Sequence, residues 1–220
     1  IALLGGPAHA QKLLDAKTNL EAKDSFGETI LMWAARKGKL ECVQWLIESK
    51  ANIEANDHDG KTALICAVEN GKVDCLQLLV NAKANLEAKD DTLRTALLAA
   101  VGSAACVQLL VKANANVNVQ NYEGKTALIS ASESGQTCSV EHLINAGANL
   151  DVKDDDGDTA LMVAAENGHV DCVELLIGAN SDVNAQDVES GWTALLLAIE
   201  NNKRECAQLL LRAKANLDAK

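Results

Sequence analysis

The stretch Lys61-Thr62-Ala63-Leu64-Ile65-Cys66-Ala67 decides the fold, because the chain keeps writing it again. Thr29-Ile30-Leu31-Met32-Trp33-Ala34 precedes its threonine by 33 residues, and Thr95-Ala96-Leu97-Leu98-Ala99-Ala100 follows by 33. Thr126-Ala127-Leu128, Thr159-Ala160-Leu161 and Thr193-Ala194-Leu195 then come at spacings of 31, 33 and 34. Self-similarity at such a period marks a repeat architecture in which each unit is one supersecondary motif. The 220 residues would by length alone suggest one or two globular domains. The period makes them a single array instead: a partial unit over 1–23, then full units over 24–56, 57–89, 90–120, 121–153, 154–186 and 187–220.

Residues 57–89 serve as the type unit. Asp57-His58-Asp59-Gly60 is a turn signal, an Asp ahead of a Gly that can take positive φ. Thr62 follows as a helix cap whose hydroxyl meets an orphan N–H of the first turn. Leu64, Ile65, Ala67 and Val68 then recur at helical spacing, and Asn70-Gly71 ends that helix after two turns. A second helix is predicted from near Val73 to Val80, with Leu76, Leu79 and Val80 on its apolar face. Ala84 to Lys89 reads as an extended return. Isolated helices this short are marginal in water, so each unit must bury its apolar face on its neighbours. The expectation is an all-α solenoid of stacked helix-turn-helix units with short β-hairpin-like fingers.

The period, the helix–loop–helix unit and the Asp-x-x-Gly-x-Thr-x-Leu start resemble ankyrin repeats. Thr62 to Ala67 sits where that family has Thr-Pro-Leu-His-x-Ala, with Ala in place of Pro and an apolar residue in place of His. Asn167-Gly168-His169 keeps the family's Gly-His pair, and Gly147-Ala148-Asn149-Leu150-Asp151 looks like its Gly-Ala-Asp-Val-Asn ending. The resemblance covers essentially the whole chain. It departs at the helix C-terminus, where Gly147 alone supplies the usual glycine. Lys17, Lys50, Lys83 and Lys214 take that slot elsewhere, with Asn114 and Asn180 in two further units. Asn tolerates the left-handed conformation, and Lys complements the helix dipole.

Two units break period. The one beginning at Asp90 lacks two residues between its helices, near Gly102-Ser103-Ala104-Ala105, and has Leu93 where the turn expects Gly. The one beginning at Asp187 gains a residue at Ser190-Gly191. Distorted helix length and finger shape are expected at both. The sequence stops at Lys220, where a further or capping unit is expected of a fragment.

Composition narrows the function classes. Aromatic residues make up 2% of the chain, so Ala and Leu must carry the core, which suits thin helices packed close. The net charge of −11 argues against nucleic acid as a partner and against an anionic membrane surface. No apolar run is long enough to insert into a membrane. The stretch Ile1 to Ala10 does not read as a secretory signal, and no Asn-x-Ser/Thr acceptor occurs in the 220 residues. Of the seven cysteines, Cys42, Cys75, Cys106, Cys172 and Cys206 share one repeat position. Stacked helices lie ~10 Å apart, too far for disulfides. A row of reduced thiols places the protein in an intracellular, cytoplasmic setting. Ser139 takes the slot in the remaining unit, which leaves Cys138 beside it as an exposed thiol.

No catalytic constellation is evident, and neither a metal nor a cofactor is expected. His9, His58, His142 and His169 occupy different unit positions and show no ligand spacing. The acidic turns at Asp57–Gly60 and Asp154–Asp158 fail the EF-hand template, since aligning their glycines puts Ala55 or Val152 at the first ligand position. No phosphate-cradling glycine loop occurs.

Function is expected where the units refuse to repeat. Ankyrin-like arrays bind proteins on the concave face of turn tips and first helices, and matching positions here are Phe26, Arg36, Lys37, His58, Asp59, Lys61 and Arg94, then Tyr122, Glu123, Asp155, Asp156, Asp158, Glu189 and Trp192. The first two units mix bases with acids, while the last two carry only acids, so a basic segment is expected against the C-terminal half. Phe26, Tyr122 and Trp192 are turn aromatics suited to anchoring an interface. Trp33 and Trp45 fall in helices, with Trp45 expected in the core. The reading is a non-enzymatic scaffold or adaptor, the alternative being a regulatory module of a larger enzyme or membrane protein. Asn118 and Asn184, each with a Leu eight residues upstream, also look like the context of asparagine hydroxylation in ankyrin repeats.

Overall fold

The computed structural model describes residues 19–188 and 190–216. The partial unit's helix, Lys17 of the C-terminal slot and Glu189 lie outside these residues. The chain divides into two compact units, residues 1–100 and 101–220. The first holds α1 (Ile30–Lys37), α2 (Leu40–Glu48), α3 (Ala63–Glu69), α4 (Val73–Asn81) and α5 (Ala96–Ala99). The second holds α6 (Ala104–Lys112), α7 (Ala127–Glu133), α8 (Thr137–Asn145), α9 (Ala160–Asn167), α10 (Val170–Gly178), α11 (Ala194–Glu200) and α12 (Arg204–Arg212).

Helices at equivalent repeat positions form rows. In the first compact unit α3 packs on α1 and α5, and α2 on α4. In the second, α9 packs on α7 and α11, and α8 and α10 continue the row from α6 to α12. Period-matched leucines make the core: Leu31, Leu64, Leu97, Leu128, Leu161 and Leu195 from the first helices, and Leu46, Leu79, Leu110, Leu143, Leu176 and Leu210 from the second, all at most 1% exposed. Each contributes about 1.5–3 kcal/mol by burial. The five cysteines of the shared slot are buried among them as free thiols, whereas Cys138 is exposed.

Threonine capping holds at four repeats. The hydroxyls of Thr29, Thr62, Thr126 and Thr159 accept from the backbone N–H three residues on, at 3.3 to 3.5 Å. Thr95 and Thr193 start their helices from the same extended conformation but make no cap bond. Their hydroxyls are buried without a partner among the described residues. They belong to the two units that break period.

The second helices end as their sequence slot implies. Lys50, Lys83, Asn114, Asn180 and Lys214 all take positive φ, between 64° and 67°, and Gly147 takes 78°. The reversal lets the next N–H reach back into the last turn, as from Ala51 to the Leu46 carbonyl at 3.0 Å. The return segment differs from the extended reading. Asn85 Oδ1 accepts from the Glu87 N–H at 3.0 Å, which folds Leu86-Glu87 into a turn.

The fingers are closed turns, and among the described residues their only ladder-like pairing is one antiparallel bridge between Asn56 and Thr62. In five repeats the first finger residue donates its N–H to the carbonyl four residues on, as from Asp57 to Lys61 at 3.0 Å. The side chain at that first position also accepts two finger N–H groups, as Asp154 does from Asp156 and Asp158. Gly60 takes φ +77° where an added Cβ would fall 2.9 Å from the Asp91 backbone nitrogen, so it admits the neighbouring finger. Leu93 holds the same bend at φ +59° without glycine's freedom. The other off-period finger closes from Asp187 to Trp192, one residue further than usual. Both expected distortions are present, since α5 is also cut to four residues.

Candidate functional site

The fingers, together with the last turn of α1, carry the side chains singled out in the sequence. In the first compact unit Phe26 is 71% exposed, and Lys37, His58 and Asp59 are also exposed, while Arg36, Lys61 and Arg94 are half-buried. In the second, Tyr122 is 58% exposed with its hydroxyl donating to Glu123 Oε1 at 2.7 Å. Asp155 and Asp156 are exposed and Asp158 is half-buried. Trp192 is half-buried, as are the helical Trp33 and Trp45, so none of the three tryptophans is fully enclosed.

One pair of positions sets the charge of each finger: the residue just before the capping threonine and the residue eight further on, near the end of the first helix. Glu28 and Arg36 fill it first, with Arg36 Nη2 2.8 Å from Glu28 Oε2. Lys61 and Glu69 fill it next, 3.1 Å apart. The truncated α5 lacks the second position, and Arg94 turns instead to Asp90 at 2.9 Å and Glu69 at 2.8 Å. In the second compact unit Lys125 reaches Glu133 at 2.9 Å. The following repeat puts Asp158 and Glu166 in the pair. Among the described residues neither has an ion-pair partner.

The electrostatic consequence shows at matched sites. Asp90 and Asp154 open their fingers identically and are both buried. Burial pushes the Asp90 carboxyl up, but hydrogen bonds from Thr92 and Arg94 and the charge of Arg94 outweigh it and leave its pKa lowered. Asp154 has no arginine beside it, and burial leaves its pKa raised. Asp158 is pushed up to about 6, first by burial and then by Asp154, Glu166, Asp187 and Asp156. The fifth finger thus gathers acids around a position that a base, Lys61, Arg94 or Lys125, occupies in three other repeats.

The spacing of eight between these paired positions is readable in the sequence, where Glu166 already stands among the acids of the last two units; the buried Asp154 is the acid that sequence does not point to as a site residue. Cys66 was likewise passed over. It lines, with Glu28, Asp57 and Lys61, a cavity of about 320 Å³ in the first compact unit. Burial, then Asp57 and Glu28, push its thiol up to about 12. Asn118 and Asn184 each hold a structural bond, their Oδ1 atoms accepting from Asn149 N at 2.8 Å and Asn216 N at 2.7 Å. Glu21, Glu54 and Asp151 make the same bond at the equivalent positions.

Comparison with known proteins agrees with this architecture. The family described as ankyrin repeats matches residues 1–90, 87–154 and 131–220. The structure is similar to an ankyrin repeat domain from Acinetobacter baumannii AYE, at 31% identity and TM-score 0.79 over 84% of this chain and 98% of that one. It is also similar to the ankyrin repeat domain of Bcl-3, described as a unique member of the IkappaB protein family, at 25% identity and TM-score 0.80 over 93% and 91% of the two chains. No curated protein matches the chain in sequence. No helix among the described residues is long and apolar enough to cross a membrane. Ankyrin repeats are in general protein–protein interaction modules, and with family matches that run the length of its sequence this chain belongs to the ankyrin-repeat family.

Proposed function

We propose that this chain is a non-enzymatic, intracellular scaffold or adaptor that binds a protein partner on its fingers and first helices. In the second compact unit the partner presents a basic segment, and one Lys or Arg inserts between Asp158 and Glu166. The observation that carries this reading is the substitution at the paired positions. Lys125 fills the first of them and bonds Glu133 at 2.9 Å, whereas the next repeat holds two acids. A partner's cation in that place would complete the arrangement found one finger earlier. Asp154 and Asp156 add to the attraction, and Asp155 lies at the exposed tip. Tyr122 and Trp192 serve as aromatic anchors on the fingers to either side, and Glu123 extends the acidic edge; Glu189, outside the described residues, is a further acid expected to meet the partner.

The first compact unit offers a mixed surface instead. Arg36, Lys61 and Arg94 are already paired with the chain's own acids, so Phe26, Lys37, His58 and Asp59 are the groups that would meet a partner.

Fluorescence anisotropy with a labelled lysine-rich peptide tests the acidic part. Wild type should bind with strong salt dependence, and Asp158→Lys should weaken binding on the order of tenfold, since a charge-assisted contact contributes about 1.5–3 kcal/mol. Equal affinity of wild type and Asp158→Lys would contradict the reading.

A further inference from the structure

Cys66 stands apart from the other thiols. Five of them lie in the second-helix core and Cys138 is exposed on α8. Cys66 lies on the first-helix row, four residues after Thr62, where the other repeats carry Trp33, Ala99, Ser130, Val163 and Leu197. Only there does the row beneath the fingers hold a thiol.

Two carboxylates meet it from different fingers. One donor atom each from Glu28, Asp57 and Cys66 lies within 4.8 Å of the other two. Glu28 is 8% exposed and Cys66 3%. Two donors on one tetrahedral zinc ion lie roughly 3.5 Å apart, given bonds of about 2.0–2.3 Å, so small side-chain rotations close the set. Asp57 Oδ1 accepts from the Asp59 and Lys61 N–H groups at 2.9 and 2.8 Å, which fixes its carboxylate as second-shell bonds fix metal ligands. The adjoining cavity of about 320 Å³ supplies an entry path and room for a water as fourth ligand. Charge also balances: a dication together with Arg36, which holds Glu28 at 2.8 Å, neutralises two carboxylates and a thiolate.

We propose that Glu28, Asp57 and Cys66 bind a divalent transition-metal ion, with zinc the best fit to one sulfur and two oxygen donors. A thiolate ligand selects against magnesium and calcium. On binding, the Cys66 S–H bond breaks, its proton passes to solvent, and a sulfur–metal bond forms with no change of oxidation state. The ion would tie the first two fingers to α3. Sequence alone gives no expectation of a metal here, since neither histidine spacing nor the acidic loops reveal a buried thiol beneath two fingers.

Cobalt(II) is the probe, titrated into the whole chain carrying Cys138→Ala and kept reduced with a phosphine. The proposal predicts a thiolate-to-cobalt charge-transfer band that saturates at one equivalent and is displaced by zinc. Cys66→Ala in the same background should abolish the band while keeping the helical circular dichroism. Glu28→Gln leaves the thiol in place and should weaken cobalt binding on the order of tenfold or more. It decides the matter should Cys66→Ala not fold. Absence of the band in the parent, its persistence in Cys66→Ala, or unchanged affinity in Glu28→Gln would overturn the proposal.

Discussion

Ser139 Oγ donates a 2.7 Å hydrogen bond to the carbonyl of Val101. Two irregularities of the sequence meet in this bond. Ser139 takes the buried slot that cysteine fills in five other repeats, and Val101 begins the connection that is two residues short. In the other repeats the equivalent carbonyl accepts from the backbone N–H three residues on, as Val68 does from Gly71, Ser132 from Gly135 and Ile199 from Asn202. The shortened repeat keeps a glycine, Gly102, but places it directly after Val101, where its N–H cannot turn back onto that carbonyl, and the serine hydroxyl supplies the donor. Ser139→Ala would remove the bond to a half-buried carbonyl, and should lower stability by about 1 kcal/mol in urea titrations. No measurable change would show that the bond is not compensating the deletion.

The capping threonines divide into two groups, and the division predicts opposite mutational outcomes. Thr62→Ala removes a working cap and should cost about 1 kcal/mol. Thr95→Val and Thr193→Val remove hydroxyls that are buried and unbonded. Each should be neutral or stabilising, because a desolvated hydroxyl without a partner is lost and a methyl takes its place. Urea midpoints of the three variants make the comparison.

Leu93 occupies a left-handed bend at φ +59° and is 46% exposed. A left-handed conformation costs a non-glycine residue about 1–2 kcal/mol, which glycine's greater freedom in the unfolded chain partly offsets. Leu93→Gly should therefore raise stability by about 1 kcal/mol, read as a shift of the urea midpoint to higher concentration.

Asp158 makes stability depend on pH with a defined sign. Its folded pKa of about 6 lies above the ordinary carboxylate value of about 3.9, so the folded chain holds its proton more tightly than the unfolded chain. The protonated group favours folding, and that contribution is lost as pH rises from about 4 through 6. Asp158→Asn lacks the dependence. The stability of wild type relative to Asp158→Asn should accordingly fall across this interval, which paired urea titrations at several pH values would follow. Asp158→Lys should go further at neutral pH, gaining about 1 kcal/mol by pairing with Glu166 as Lys125 pairs with Glu133.

Much of the fold was legible because it rests on local rules repeated many times. The recurring Thr-x-Leu gave the first helices, the Lys and Asn slots marked the left-handed helix ends, and Leu93 and Ser190-Gly191 marked the irregular fingers. What stayed hidden depends on contacts between repeats. The Ser139–Val101 bond joins residues 38 apart, and nothing local to either requires the other. The missing caps at Thr95 and Thr193 follow from finger geometry two or three residues away, while the threonine itself is unchanged. The candidate site was partly legible: the acids of the fifth finger were visible, but their meaning came from setting Asp158 and Glu166 beside Lys125 and Glu133.

The central claim is that the fifth finger takes a basic group from a protein partner. Amide chemical shifts of the whole chain, followed by NMR during titration with an oligolysine peptide, test it most directly. The account predicts perturbations concentrated at residues 154–158 and at Glu166, saturable, suppressed by salt, and absent from Asp158→Lys. Perturbations spread evenly over the acidic surface, or undiminished at residues 154–158 in Asp158→Lys, would contradict it.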